Sequence, residues 1–318
     1  MQKRRIGTSE IEIVPLVLGG NVFGWTADEA TSFRILDEFV DRGGTMIDTA
    51  DVYSFWAPGN AGGESEAVIA SWLKRDPGKR ANVQIATKVG FQEGLAPEVV
   101  ERACDESLQR LGVDSIDLYY QHKDDEAVPL ADSLGAFDAL KRAGKIRAAG
   151  LSQFSAERLD EALNVAKSAG LERPCVLQTW YNLLEREKLE GPLRDAALRH
   201  GLGILPFYGL ANGFLTGKYR SRDDLSKSVR GDRVEQYLKG RGMRVLRALD
   251  EIAAQTGAAV GTVALAWTIA QPGVVGALAS ATSIEQLSQN LAALTLQLSP
   301  AQVEALNEAS AQPAAANA

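Results

Sequence analysis

The sequence predicts an α/β fold closed into one (β/α)8 barrel, with an N-terminal β-hairpin and an extended loop after the seventh strand. Three observations carry this reading. Eight short apolar runs alternate with segments of helical periodicity along the chain. The runs are continuous rather than alternating, as in a parallel sheet covered by helices, and most lie roughly 30 to 40 residues apart. Right-handed βα crossovers repeated eight times close on themselves. The competing architecture, an open doubly wound sheet, calls for a Gly-x-Gly-x-x-Gly turn after the first strand. The segment Leu18-Gly-Gly-Asn-Val-Phe-Gly24 does not supply one.

In chain order, a hairpin-like segment Arg5–Val14 turns near Gly7–Glu10 and leads to a first strand at Leu16–Gly19. The spacing of Thr26 and Glu29 predicts a capping box. Phe33, Leu36, Phe39 and Val40 follow at helical spacing, and Gly43–Gly44 stops the helix. Strands are expected at Thr45–Thr49, Val83–Thr87, Ile116–Tyr120, Ile146–Leu151, Cys175–Thr179, Gly203–Phe207 and Val274–Leu278. Between them lie a helix at Glu66–Lys74, one opened by Pro97 and closed before Gly112, and others through Leu134–Leu140, Leu159–Ala166 and Leu193–Leu198. Two helices, Val245–Gln255 and Thr262–Ala270, precede the eighth strand. The charged, glycine-containing stretch Ala211–Gly242 reads as a loop on the face where barrels carry their chemistry. Residues 1–310 are expected to form the barrel unit and 311–318, rich in Ala, Pro, Gln and Asn, a disordered tail.

Composition narrows the function. The chain has 318 residues, 34 basic against 41 acidic, and no basic patch, which argues against nucleic acid and anionic membrane as partners. The most apolar stretch, Ala258–Ala270, is too short to span a bilayer and reads as a buried helix. The basic N-terminus has no apolar run behind it, so it is not a secretory signal. Cys104 and Cys175 and two histidines offer no metal-ligand spacing. The thiols read as reduced core residues of a cytoplasmic protein.

Polar residues at the C-terminal ends of barrel strands are site candidates. The second strand ends in Asp48-Thr-Ala-Asp-Val-Tyr53, the third in Lys88, the fourth in His122. Alone, each has an ordinary explanation: a turn-capping carboxylate, a solvated lysine, a structural histidine. Together, at one level of three consecutive strands, they point to proton transfer by a tuned tyrosine. A free phenol titrates near 10, and an adjacent ammonium, here Lys88, lowers that value. Asp48 supplies the counter-charge that a buried lysine needs. His122 orients a substrate oxygen, and the hydride must come from a cofactor.

With these residues in view, the sequence resembles the aldo-keto reductase superfamily. The resemblance rests on Gly44-Thr-Met-Ile-Asp-Thr-Ala-Asp-Val-Tyr53, Gly63-Glu-Ser-Glu66, Thr87-Lys88, Asp117-Leu-Tyr-Tyr-Gln-His122, Gly144-Lys-Ile-Arg147, Gly150-Leu-Ser152, Gln178, Leu215-Thr-Gly-Lys-Tyr219 and Thr282-Ser-Ile-Glu-Gln-Leu287. It implies a barrel that binds NADP(H), with NAD(H) as the alternative, and catalysis by Asp48, Tyr53, Lys88 and His122. It also implies a cofactor site of Gly20, Asn21, Asp48, Ser152, Gln153, Gln178, Tyr208, Gly209, Leu210, Gly213, Lys218, Arg230, Ser280, Thr282, Gln286, Gln289 and Asn290. In it Ser152 and Gln178 would hold the nicotinamide amide, with Tyr208 stacked on the ring. Thr282 and Glu285 read as a capping box whose helix offers N–H groups to a phosphate. The chain departs from the family at Gln153, commonly Asn, and at Gln286, often arginine.

Trp25, Tyr53, Trp56 and His122 form the expected substrate pocket, with Phe23, Phe55, Trp180 and Tyr208 among the aromatic residues facing it, which suits an apolar or sugar-like carbonyl compound or its alcohol. Two other functions stay open on the sequence: a redox-sensing subunit that binds NADP(H) and turns over slowly, and a Schiff-base lyase using Lys88.

Overall fold

The computed structural model describes residues 2–312. An antiparallel hairpin, β1 (Arg4–Arg5) and β2 (Glu12–Ile13), precedes eight parallel strands. These are β3 (Leu16–Gly19), β4 (Met46–Asp48), β5 (Gln84–Val89), β6 (Ile116–Gln121), β7 (Ile146–Ser152), β8 (Val176–Trp180), β9 (Gly203–Phe207) and β10 (Ala277–Ala279). Around them run α1 (Glu29–Asp41), α2 (Glu64–Arg75), α3 (Pro97–Leu111), α4 (Leu130–Arg142), α5 (Ala156–Ala169), α6 (Pro192–Arg199), α7 (Arg241–Thr256), α8 (Val260–Ile269), α9 (Ile284–Ala292) and α10 (Pro300–Ser310).

Strand order is β10-β3-β4-β5-β6-β7-β8-β9. The ring closes through a bridge between Ile204 and Val274, held by Ile204 N–H to Gly273 O and Val275 N–H to Ile204 O, each 3.0 Å. The predicted last strand therefore starts late: Val274 meets only β9, and pairing with β3 begins at Ala277. The hairpin plugs the N-terminal end of the barrel. Its Ile6, Ile11 and Ile13 join Val17, Met46, Leu118, Tyr120 and Val176 in one buried cluster. Gly7, in left-handed backbone (φ +50), presses so closely on the entry to β8 that an added Cβ would lie 2.0 Å from Cys175 O.

Local chemistry accounts for the helices. Pro97 opens α3 and Gly112, at φ +66, closes it. Ser155 caps α5 by accepting from Arg158 N–H. α8 is apolar on every side and buried almost throughout; no single helix among the described residues is long and apolar enough to cross a membrane.

Two caps differ from expectation. Asp28, not Thr26, caps α1, and the buried stripe runs through Ser32, Ile35, Leu36 and Phe39. A carboxylate accepts the N-terminal amide at least as well as a hydroxyl. At α9 the cap is Ser283, one residue past Thr282. α10, capped by Ser299 and Gln302 around Pro300, was not anticipated. The inserted stretch is not irregular throughout; it contains four short 3-10 turns between Ala211 and Tyr237. Of the expected tail, residues 313–318 lie outside the described part.

Candidate active site

The strand registers bring the candidates together at the C-terminal rim. Gly19 pairs with Asp48, Asp48 with Ala86, Lys88 with Tyr120, Tyr120 with Gly150, and Ser152 with Gln178. Beyond these strand ends lies a cavity of about 830 Å3, within the range of small-molecule sites.

At its floor, Lys88 is completely buried. Its three donors reach Asp48 Oδ1 at 2.5 Å, Thr49 O at 2.6 Å and Tyr53 Oη at 3.3 Å. Asp48 Oδ2 accepts from Gln178 Nε2 at 2.8 Å. Burial pulls Lys88 down, but Asp48 and Tyr53 outweigh it, and the ammonium keeps its proton above the ordinary lysine range. Burial raises the Asp48 carboxyl against the pull of Lys88 and Gln178.

Tyr53 corrects the sequence argument. Burial raises the phenol, and although Lys88 acts to lower it, the net direction is upward. Burial is the larger influence, and the nearby Asp48 charge adds to it against the ammonium. Tyr53 therefore stands as a neutral acid. The His122 ring lies 5.7 Å from that of Tyr53. Burial, then Lys88 and Lys123, push the imidazole well below its usual range, so it is uncharged at neutral pH, and its Nδ1 has no partner among the described residues.

Aromatic rings wall the region above. Trp25, Tyr53, Phe55, Trp56 and Phe91 line the cavity with His122, and Trp180, Phe207 and Tyr208 face them. Trp25 and Trp56 meet edge to face at 5.7 Å. Phe23 does not belong here: its ring is buried in the core, and its carbonyl accepts from Ser54 Oγ.

The cavity extends along β7 to β10. Of the predicted cofactor residues, Asn21, Asp48, Ser152, Gln153, Gln178, Tyr208, Gly209, Leu210, Gly213, Lys218, Arg230, Ser280, Thr282, Gln286, Gln289 and Asn290 line it. Gly20 does not; it packs behind, bonding Asp48 O through its N–H and accepting from Ser65 Oγ. Backbone in the left-handed region recurs at the strand ends, at Gln153 (φ +58), Tyr208 (φ +57) and Asn212 (φ +55), the kind of local strain that gathers at working sites. Gln153 donates its side-chain amide to His122 O at 3.0 Å.

Charge at this end is positive. The ion pairs on the inserted stretch join Arg220–Asp250, Arg222–Glu235, Lys227–Asp224 and Arg241–Glu187. None among the described residues takes Lys218, Arg230 or Arg233, all of which line the cavity. Arg230 lies 5.2 Å over the Trp25 ring. Arg233 and Phe91 were missed in the sequence, although one lies in the charged insertion and the other three residues past Lys88 at a strand end. At α9, Gln286 N–H is taken by Ser283 Oγ, and Thr282 N–H by Gln286 Oε1. The expected Thr282–Glu285 box does not form, because with Ser283 as the cap the third helical position is Gln286, not Glu285.

A proton donor beside a neutral imidazole, under a long cavity with unpaired cations at its far end, suits reaction of a small uncharged group on a ligand held by its anionic part. Comparison with known proteins agrees. A family model described as the aldo/keto reductase family matches residues 15–311. The chain is 29% identical to "Aldo-keto reductase yakc [NADP(+)]" of Schizosaccharomyces pombe, over 96% of this chain and 90% of that one. It is 30% identical to "Uncharacterized oxidoreductase YrpG" of Bacillus subtilis, over 97% and 95%. It is 28% identical to "Probable voltage-gated potassium channel subunit beta" of Oryza sativa subsp. japonica, over 92% and 91%. The barrel and the match along nearly its whole length agree: the chain belongs to the aldo/keto reductase family, as a nicotinamide-dependent oxidoreductase acting between carbonyl and alcohol.

Proposed function

We propose that the protein interconverts an aldehyde or ketone and its alcohol using NADP(H), with Tyr53 as the proton donor and acceptor. The observation that carries this reading is the hydrogen-bonded chain Asp48–Lys88–Tyr53 set beside an uncharged His122 in one cavity wall. In the reducing direction Tyr53 Oη–H donates to the carbonyl oxygen, and Lys88 stabilises the phenolate left behind. The neutral His122 ring donates a hydrogen bond that orients that oxygen. In the oxidising direction the same phenolate takes the alcohol proton. Asp48 keeps Lys88 charged and in place.

The residues present fit the cofactor. Ser152 Oγ is buried in the cavity wall with no partner among the described residues, a cost that a ligand amide would relieve. Gln178 stands next to it, and the Tyr208 ring is available for stacking. When bound, the nicotinamide supplies the hydride. Lys218, Arg230 and Arg233 are free to meet phosphates. Because the Gln286 oxygen is held by Thr282, its amide N–H2 is left to donate, which favours NADPH over NADH. The aromatic wall suits a flat apolar carbonyl substrate.

The test is oxidation of NADPH in the presence of 4-nitrobenzaldehyde, with fluorescence titrations of NADPH and NADH side by side. Turnover and tighter NADPH binding are expected; equal affinities would refute a 2′-phosphate site. A second reading, a subunit that binds NADP(H) and signals its redox state, is favoured by the likeness to proteins named as potassium channel beta subunits, the rice one among them. Binding without oxidation of NADPH would select it.

A further inference from the structure

Tyr120 is completely buried inside the barrel, and nothing in the proposed reaction uses it. Its hydroxyl lies near the Gln178 side chain but makes no hydrogen bond of good geometry among the described residues, so it carries a desolvation cost that phenylalanine would avoid. Its place explains more than its hydroxyl does. β5 carries Lys88, and its two neighbours in the sheet are β4 and β6. Tyr53 comes from beyond β4, whereas Tyr120 stands on β6 in register with Lys88. The two phenol rings thus approach the ammonium from opposite flanks, with centroids 4.8 Å and 6.0 Å from Nζ.

The longer distance lies at the outer limit of a cation–π contact. All three Lys88 donors are already engaged elsewhere. Tyr120 therefore acts on Lys88 by occupying space. The ring is itself held on its other side, because it lies against Gly150 on β7: a Cβ there would fall 2.5 Å from Tyr120 Cδ1 and Cε1.

We propose that Tyr120 is a positioning residue for the reaction, its ring forming the back wall that keeps the Lys88 ammonium against Tyr53, with Gly150 as the seat of that wall. Tyr53 is the farthest of the three Lys88 contacts, at 3.3 Å against 2.5 and 2.6 Å. A void behind Lys88 would be filled by withdrawal from that partner first. The proposal rests on the assignment of Tyr53 and Lys88 made above.

The test compares Tyr120→Phe and Tyr120→Leu by kcat and KM for 4-nitrobenzaldehyde across pH. It also follows the Tyr53 ring by NMR titration of carbon-13-labelled tyrosine, the signal being identified by its loss in Tyr53→Phe. Tyr120→Leu is expected to lower kcat about tenfold with KM changed less than about twofold, and to move Tyr53 ionisation upward by roughly half a unit to one unit. Tyr120→Phe keeps the wall and should behave as wild type. An unshifted Tyr53 titration in Tyr120→Leu would overturn the proposal, as would Tyr120→Phe falling equally far, since the hydroxyl would then be the active element. Gly150→Ala, which displaces the same ring, carries the same expectation should Tyr120→Leu not fold. If the wild type turns over no carbonyl, the proposed reaction fails, yet the Tyr53 titration still decides the positioning role.

Discussion

Tyr53 is held between two opposing influences: burial keeps its proton on, and the ammonium 3.3 Å away draws it off. Tyr53→Phe removes the donor and leaves the Asp48 and Thr49 contacts of Lys88 in place. Carbonyl turnover should fall by about two to four orders of magnitude while NADPH affinity, read by fluorescence, is retained. Lys88→Met strands the Asp48 carboxylate with Gln178 as its remaining partner. Such a variant should lose on the order of 3–5 kcal/mol in denaturant titrations, and adding Asp48→Asn should recover much of it. Asp51 gives a pH signature of its own. Burial, then the neighbouring Glu66 carboxylate, raise it to about 7. Between its unfolded value near 4 and about 7, the folded state holds more proton than the unfolded chain, so stability falls as pH rises through that window. Asp51→Asn should flatten the fall, gaining on the order of 2–4 kcal/mol over wild type above neutrality and little at pH 4; equal slopes for both proteins would count against it. These residues were legible because they end apolar strands. The upward direction at Tyr53 was not, since it depends on how completely the fold buries the phenol, and that is a matter of packing.

Elements were legible where one local pattern decides them. The runs Ile116–Tyr120 and Gly203–Phe207 are apolar enough to be strands in any register, and Pro97 and Gly112 bracket α3 from their backbone preferences alone. Caps were less legible, because Thr26, Asp28, Thr282 and Ser283 are all capable of the same hydrogen bond and helix phase chooses among them. The late start of β10 follows from a neighbour on only one side, which sequence periodicity does not carry. Gly7 and Gly170 show how context divides one residue type. Both have left-handed backbone, but a Cβ at Gly170 meets nothing, whereas at Gly7 it collides with Cys175 O and Gly203 N. Gly170→Ala should cost about 1 kcal/mol and Gly7→Ala well above that, through displacement of the hairpin, measurable as a difference in thermal midpoint.

For the whole molecule, the closing bridge has a consequence of its own. Two backbone hydrogen bonds join β9 to the approach of β10, whereas β5, β6 and β7 are laddered along most of their length. The barrel has a built-in fault line there, and its breathing should be visible as faster deuterium uptake at Ile204 and Val275 than in the strands opposite. Tyr208 leaves one lip of that line and Ser280 the other, and both line the cavity. A dinucleotide lying across them would act as a clasp, so its arrival should slow uptake at these two amides more than anywhere else in the sheet.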